Sequence, residues 1–198
     1  NSAGTHLWSQ RFGSTLADYG VAVAVDASSN VIASASFSGS VGFGGGTLVS
    51  NGLLDIALAK YNSSGVHQWS RSAGGFTQDY AYGVATDASG NVFTAGWFTG
   101  TANFGGANLV SAGGSTDVFM ARYDAAGTHQ WSKQFGSTGS DVPYGLAVDA
   151  SGAIALAGVF NNTVDFGAGP LVSAGNNDVF VARYDGNGIA HWTTAFGS

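Results

Sequence analysis

The sequence predicts an all-β protein: a β-propeller-type array of four-stranded antiparallel blades, with three complete blades plus one extra outer strand. Three observations predict this fold class. The composition is typical of strands and turns, since the 198 residues include 32 glycines, no glutamate and only 9% charged residues. One module of about 61 residues is written three times. Each copy divides into four short strand-like segments separated by turn sequences.

The repeat is marked by a tryptophan in the pattern Gly-x-His-x-Trp. It falls at Trp8, Trp69 and Trp131, and a fourth tryptophan follows at Trp192, at intervals of 61, 62 and 61 residues. A period of tens of residues is the signature of a repeat architecture. The aspartate columns that keep this spacing are Asp18, Asp79 and Asp141, then Asp26, Asp87 and Asp149, then Asp55, Asp117 and Asp178.

Four strands, A to D, are expected in each repeat. Strand B follows an Asp-Ala-Ser-Gly turn, in which Asp accepts backbone N–H groups and Gly takes a positive φ. A Gly-rich connection of about fifteen residues then leads to strand C. The predicted positions are 21–25, 82–86 and 144–148 for strand A, and 117–123 and 129–135 for strands C and D of the middle copy.

Four antiparallel strands per repeat, with almost no helix, is the pattern of a propeller blade. A β-solenoid is the alternative, although its coils are usually shorter than this period. One blade cannot bury both of its faces alone, so we expect the blades to stack into a single repeat domain, 1–198. Within it we assign 1–13 to the outer strand of a preceding blade, and the three blades to 14–74, 75–136 and 137–198.

Three stretches of the middle copy resemble the bacterial SBBP-type β-propeller repeat. They are Asp-Ala-Ser-Gly-Asn-Val-Phe-Thr-Ala-Gly at 87–96, Gly-Thr-Ala-Asn-Phe-Gly-Gly at 100–106 and Asp-Val-Phe-Met-Ala-Arg-Tyr at 117–123. The likeness covers essentially the whole chain, and the third copy departs from it at Ala153, where we expect a looser turn. The resemblance implies a bladed ring found in large exported or surface proteins, and it supplies no catalytic residues.

The predicted strand order, D-ABCD-ABCD-ABCD, leaves the array open. Three blades cannot close a ring, and one D strand, at either 5–12 or 189–196, lacks a blade of its own. The chain is therefore expected to be part of a longer repeat array or a protomer whose open edges meet other copies. Because exposed strand edges pair readily, the expected partners are further repeats or the protein itself.

Charge and composition limit the other partners. A net charge of −6 and a pI near 4.7 argue against nucleic acid, which needs a clustered basic surface. No apolar run approaches the length that spans a bilayer, so no membrane insertion is expected. Cysteine is absent, and a surface of Ser, Thr, Asn and Gly with few charges favours an extracellular or cell-surface location.

Repeated polar columns are candidates for chemistry. Asp18, Asp79 and Asp141 recur just before strand A, and their oxygens suit Ca²⁺. Because none lies in a dense Asp-x-Asp-x-Asp loop, the alternative is that each caps backbone amides, and we expect no cofactor. Two basic columns are expected to be structural, with the histidines packing beside Trp and the cations making blade-to-blade ion pairs. They are His6, His67 and His129, and Lys60, Arg122 and Arg183.

Aromatic residues of the middle copy form a candidate ligand site. Trp97 occupies a column that holds Ser36 and Val159 in the other copies, and Tyr80 and Tyr82 lie in the same repeat. Exposed aromatic rings stack on the apolar face of sugars, and packing between blades is the alternative for Trp97.

Two hypotheses for function follow. We find no Ser-His-Asp arrangement, phosphate loop or paired-carboxylate acid/base site, so no enzymatic activity is expected. The first hypothesis is a non-enzymatic extracellular β-propeller segment that acts as a structural scaffold or self-associating interaction module. The alternative is a carbohydrate-binding, lectin-like propeller with sites on Gly-rich loops such as 98–116.

Overall fold

The first repeat contributes four antiparallel strands to one sheet in the computed structural model, which describes residues 3–198. Strand A pairs with B, B with C, and C with D. Tight turns connect A to B and C to D. In chain order the strands are β1 (Asp18–Val25), β2 (Val31–Phe37), β3 (Ser40–Gly42), β4 (Thr47–Val49), β5 (Asp55–Tyr61) and β6 (His67–Gly75), with β1, β2, β5 and β6 in the sheet and β3 and β4 in a separate hairpin.

The second and third repeats each form a four-stranded sheet with the same strand order, and a hairpin of the second repeat extends the sheet of the first to six strands. The second consists of β7 (Asp79–Thr86), β8 (Val92–Phe98), β9 (Thr101–Asn103), β10 (Leu109–Val110), β11 (Asp117–Tyr123) and β12 (His129–Phe135), with a 3₁₀ turn at Ala112–Gly114. The third consists of β13 (Val142–Val148), β14 (Ile154–Phe160), β15 (Thr163–Asp165), β16 (Pro170–Val172), β17 (Asp178–Tyr184) and β18 (Ala190–Phe196).

These sheets confirm the predicted all-β fold class of four-stranded antiparallel blades. Strands C and D of the middle copy, β11 and β12, match the predicted ranges. Strand A of the first two copies begins earlier than predicted, at the aspartate column. The prediction was wrong for the Gly-rich connection, which folds into a short hairpin in each blade instead of remaining a loop.

The Asp turn between strands A and B has the hydrogen bonds that its sequence predicts. In the second blade, Asp87 Oδ1 accepts the backbone N–H groups of Ser89 and Asn91, both at 2.9 Å. The third blade keeps the equivalent two bonds to Asp149 although Asn is replaced by Ala153. The third turn therefore loses only the side-chain bond that Asn91 donates to Asp87.

Each blade has two apolar faces, which we call the leading face, toward the preceding repeat, and the trailing face, toward the following repeat. Ile56 and Leu58 on the trailing face of the first blade pack in one buried cluster with Phe98, Phe104 and Phe119 on the leading face of the second. Burying each such side chain stabilises the fold by roughly 1.5–3 kcal/mol. The same arrangement recurs between the second and third blades.

Tryptophan side chains tie each blade to the next one. Trp69 donates from Nε1 to the carbonyl oxygen of Ala125 at 3.1 Å, and Trp131 makes the equivalent bond to Gly186 at 3.2 Å. The Trp69 ring lies against the turn residue Gly127, where a Cβ would come within 2.7 Å of it. Gly127 also has a φ of +78°, so the turn and the ring contact both require glycine.

The segment before β1 occupies the position of an outer strand but is not one. Residues 1 and 2 of the predicted strand 1–13 lie outside the described residues, and residues 3–13 belong to no strand. Yet Trp8 donates to Ser63 O at 3.1 Å, as the other tryptophans do to the equivalent turns. Phe12 lies 5.4 Å from both Phe43 and Tyr61, between ring centroids. These contacts hold residues 3–13 against the first blade without strand pairing, and the assignment of 1–13 to the outer strand of a preceding blade stays a prediction.

Within residues 3–198 no helix has the length and apolarity that crossing a membrane requires.

Trp131→Ala should destabilise the protein much more than Trp192→Ala. Trp131 is partly buried against the third blade, whereas Trp192 is 45% exposed at the end of the array. Full burial would make such a truncation cost about 3–5 kcal/mol, so about 2–3 kcal/mol is expected for Trp131 and under about 1 kcal/mol for Trp192. Denaturant unfolding of both variants measures the difference, and equal losses would contradict the described junctions.

Candidate functional site

Five aromatic side chains follow one another across the three blades, and we call this set the aromatic arc. It contains Tyr80, Tyr82 and Trp97 of the second blade, Tyr19 of the first and Tyr144 of the third. The ring centroids of Tyr19 and Tyr80 are 6.1 Å apart, and those of Tyr80 and Tyr82 are 5.4 Å apart. Tyr144 follows at 5.5 Å from Tyr82. The structure thus brings the three predicted site residues together and adds one tyrosine from each neighbouring blade.

Strand geometry places the central rings of the arc. Tyr80 and Tyr82 are two residues apart in β7, where a bulge between Ala81 and Gly83 shifts the register with β8, and their rings lie beside each other. Tyr80 lies directly opposite Trp97 of β8, and the two rings stack at 5.9 Å with an interplanar angle of 12°. Burial, followed by the neighbouring Tyr82 and Tyr19, raises the pKa of Tyr80.

The ends of the arc are the accessible part. Tyr19 is 46% exposed and Tyr144 is 60% exposed, whereas Trp97 is partly buried beneath Tyr80. An exposed tyrosine offers an apolar ring face together with a hydroxyl, which is the combination that a sugar ring requires. Within the arc, Trp97 therefore packs against Tyr80, and the exposed tyrosines are the side chains that a ligand can contact.

The sequence contained a signal for the two additional tyrosines. Tyr19 and Tyr80 share one repeat column, and Tyr82 and Tyr144 share another. Tyrosines in the same column of neighbouring copies are the sequence pattern that indicates contact between these side chains. All five aromatics lie in strands, and a sugar site on the Gly-rich loop 98–116 stays a prediction.

The leading face of the first blade is a second candidate site, because a cleft of about 410 Å³ opens there. Its floor includes Ala33, Ala35 and Phe43, and Phe12 lies at one side. The first blade has Ala57 in the column where the other blades have phenylalanines that stack on a neighbouring ring. The cleft is the space that the trailing face of a preceding blade would fill.

The trailing face of the third blade is open as well. Val179 is 45% exposed, whereas Ile56 and Val118 in the same column are 1% and 0% exposed. Phe196, at the end of β18, is 59% exposed, although Phe135 in its column is 8% exposed. The described chain therefore ends in two apolar blade faces that its own blades do not cover.

The calcium candidates act as caps in this structure. An Oδ2 atom of Asp18, Asp79 and Asp141 accepts the backbone N–H four residues earlier, at 2.5, 2.7 and 2.7 Å respectively. Among residues 3–198 no three acidic or histidine side chains lie close enough together to hold a metal ion. Calcium binding by these residues stays a prediction.

Two blade junctions bring pairs of carboxylates together, and the sequence analysis missed these pairs. The position of a Cβ on Gly74 would be 2.7 Å from Asp79 Oδ2 and 2.8 Å from Asp55 Oδ1, so both carboxylates adjoin that glycine. Asp117 and Asp141 interact in the same way at the next junction. The signal was a constant separation, since each pair is 24 residues apart.

Burial controls the ionisation of these pairs. Asp79 is fully buried, and this burial raises its pKa to about 7. The hydrogen bond from the Gly75 N–H lowers the pKa, and the charge of Asp55 raises it further. Burial, with a contribution from Asp141, raises the pKa of Asp117 to about 6. An Oδ1 atom of Asp55, Asp79 and Asp117 has no hydrogen-bond partner. Each junction therefore favours a protonated carboxyl group at Asp79 or Asp117 over two negative charges.

The basic column differs from its prediction. Lys60 forms an ion pair at 2.9 Å with Asp26 of its own blade, not with an aspartate of the next one. The contacts that cross between blades are hydrogen bonds to carbonyl oxygens: Lys60 to Ala125 at 3.4 Å, and Arg122 to Gly186 at 3.0 Å. Burial raises the pKa of Asp26, but bonds from Asn30 and Lys60 outweigh it and hold the pKa at about 2.

Residues 3–198 thus define a class of protein, a tandem-repeat protein of propeller-like blades. The chain is 31% identical over 160 residues, 70% of its length, to an uncharacterized WD repeat-containing protein of Acanthamoeba polyphaga mimivirus. It is 29% identical over 154 residues, 74% of its length, to regulatory protein FlaEY of Caulobacter vibrioides. The matches span only 11% and 16% of those two proteins. No family model matches the chain, so the SBBP-type resemblance stays a prediction.

Asp79→Asn should stabilise the protein at alkaline pH. The pKa of Asp79 is raised in the folded state, so the stability it contributes is present below its unfolded pKa near 4 and is lost as pH rises toward 7. The loss is roughly 1.4 kcal/mol for each pH unit in between. Melting temperatures should therefore favour the variant at about pH 8 and converge with the unsubstituted protein at about pH 4.

Asp124→Asn is the matched control for this prediction. Asp124 caps a solvent-facing turn by accepting the N–H groups of Ala126 and Thr128, and asparagine can accept the same bonds. This control should leave the pH dependence of the melting temperature unchanged. A pH profile of Asp79→Asn that follows the unsubstituted protein throughout would contradict the raised pKa of Asp79.

Proposed function

We propose that this chain is a non-enzymatic β-propeller repeat segment, a structural scaffold that joins to further copies of itself through its open blade faces. The observation that carries the proposal is the contrast within one repeat column. Ile56 and Val118 are buried between blades, but Val179 is 45% exposed on the last one. Apolar columns that are buried wherever a following blade exists indicate a surface meant to be covered.

The carboxylate pairs support a role without catalysis. Asp55 and Asp79 are 1% and 0% exposed, so a substrate in solution has no access to them. The pair recurs at the next junction, as expected for a structural element. Similarity to part of a WD repeat-containing protein is compatible with a propeller scaffold for protein interactions. An extracellular or cell-surface location is part of the proposal and is supported by the composition and by the SBBP-type resemblance.

Sedimentation velocity over a wide range of protein concentration tests the scaffold proposal. The chain of 19.9 kDa should form a larger species as concentration rises, because burying the open faces removes apolar area from water. A species that stays at the mass of one chain throughout would contradict self-association.

A second candidate function, carbohydrate binding, is favoured by the aromatic arc. Tyr19, Tyr80, Tyr82 and Tyr144 form a surface line of rings that crosses all three blades, and the two end members are largely exposed. A row of rings at spacings of 5.4–6.1 Å offers contiguous contacts for successive groups of an oligosaccharide. The rings supply stacking contacts, and the tyrosine hydroxyls supply hydrogen bonds.

A glycan array tests the second candidate. Tyr144→Ala should reduce any glycan signal about fivefold, because one stacked aromatic contributes on the order of 1 kcal/mol to binding. Trp97→Ala should also reduce it by removing the support of Tyr80. Phe76→Ala is the matched control, since Phe76 is 85% exposed but takes no part in the arc. A signal that all three variants retain would place the binding site elsewhere.

A further inference from the structure

We infer that the junction between the first and second blades binds a small aromatic carboxylate, in a pocket that Arg71 of the first blade and Phe104 and Tyr123 of the second help to line. The pocket has a volume of about 260 Å³. It lies between two blades of the described chain, so it does not involve the open faces at either end. The inference is independent of the proposed self-association and of the aromatic arc.

A phenylalanine column is interrupted at this junction. The residues four positions after each repeat tryptophan are Phe12, Ala73, Phe135 and Phe196. At the second junction the ring centroid of Phe135 lies 5.8 Å from that of Phe166 and 5.5 Å from that of Tyr184. The equivalent pair in the second blade is Phe104 and Tyr123, and the first blade supplies only the methyl group of an alanine to their cluster. One pair of rings therefore lacks the phenyl group that its counterpart receives.

Arg71 supplies a positive charge beside these rings. Its Nε donates to the carbonyl oxygen of Gly127 at 3.0 Å. Within residues 3–198 the two terminal NH₂ groups of Arg71 have no hydrogen-bond partner. A guanidinium can hold a carboxylate through two parallel N–H donors, which fixes the orientation of the anion as well as its position. The two NH₂ groups are therefore available for this contact.

The remaining walls of the pocket carry no formal charge near pH 7. The imidazole of His129 lines the pocket, with its centroid 5.7 Å from that of Tyr123 and an interplanar angle of 75°. Burial lowers the pKa of His129, so this ring is neutral at pH 7. The pocket thus combines one positive charge with aromatic side chains, and an anion with an aromatic body matches both.

This combination occurs once in the chain. The column of Arg71 holds Gln10, Lys133 and Thr194 in the other copies. At the second junction, where the column of Arg71 also holds a cation, the column of His129 holds Ala190 and the phenylalanine column is filled. Residues that only join blades recur from one junction to the next. A set of side chains that occurs at one junction alone indicates a separate role.

The volume suits a single ring with a short acidic chain. A cavity of about 150 Å³ admits benzene, and sites for drug-sized ligands begin at about 300 Å³. The pocket lies between these limits. Phe104 and Tyr123 are only 1% and 3% exposed, so a ligand ring needs a neighbouring side chain to move aside. Arg71 can do so, because it lines the same pocket and is exposed.

An NMR titration of the ¹⁵N-labelled full chain with phenylacetate at pH 7 tests the site. Binding is expected with a dissociation constant on the order of 1 mM, as for other ligands with so few atoms. The backbone amide signals of Gly105 and Gly127, which line the pocket, should shift. Benzyl alcohol has the ring without the charge, and acetate has the charge without the ring. Each should bind about fivefold more weakly or worse.

Ala73→Phe should raise the dissociation constant for phenylacetate at least about tenfold, because the new ring takes the place of the ligand ring. The second junction already accommodates phenylalanine in this column, so the variant is expected to fold. Far-UV circular dichroism and the melting temperature check this.

Arg71→Gln should raise the dissociation constant about fivefold by removing the charge. Glutamine can keep the bond to the turn, since Gln10 donates to the carbonyl oxygen of Gly65 in the same column. Lys133→Gln is the matched control at the second junction and should leave the dissociation constant unchanged.

Three results would overturn the inference. The first is the absence of any signal shift at about 20 mM phenylacetate, well above the expected dissociation constant. The second is unchanged affinity in a folded Ala73→Phe variant, which would place binding elsewhere. The third is equal affinity of the Arg71→Gln and Lys133→Gln variants, or of benzyl alcohol and phenylacetate, which would contradict the carboxylate contact. Should Ala73→Phe fail to fold, these last comparisons still decide, and none of them depends on self-association.

Discussion

Burial of two apolar faces on every sheet is the constraint on which the rest of this structure depends. A four-stranded blade exposes Ile56 and Leu58 on one side and aromatic residues on the other, and it can cover them only with neighbouring blades. The two internal junctions solve this problem within the chain. The leading face of the first blade and the trailing face of the third do not, and the proposed assembly follows from that imbalance.

Aspartate carries most of the polar organisation around these apolar contacts. One column caps the turn between strands A and B, as Asp87 does by accepting two backbone N–H groups. Two other columns meet at the junctions, where burial makes Asp79 and Asp117 hold protons well above their usual pKa. A short carboxylate fits these tight sites, and neighbouring glycines such as Gly74 leave room for it.

Repetition separates structural residues from candidates for recognition. Trp69 and Trp131 make equivalent bonds at successive junctions, so their role is assembly of the array. The aromatic arc is different, because its members come from three columns, none of which holds an aromatic residue in all three blades. Tyr80 of the second blade bridges Tyr19 of the first and Tyr82 of its own strand. Because the aromatic positions differ between blades, the five rings form one continuous aromatic surface instead of three identical sites.

The amino-acid sequence by itself determined the repeat, the four strands of each blade and the Asp turns, because those features depend on local spacing and turn chemistry. It also singled out Trp97, Tyr80 and Tyr82. Only the tertiary structure decided which residues meet across blades: the hairpin in the Gly-rich connection, the Asp55 and Asp79 pair, and the place of Phe12 on the first blade. Contacts between repeats join positions far apart in the chain, and their partners are set by how sheets stack, which no local pattern encodes.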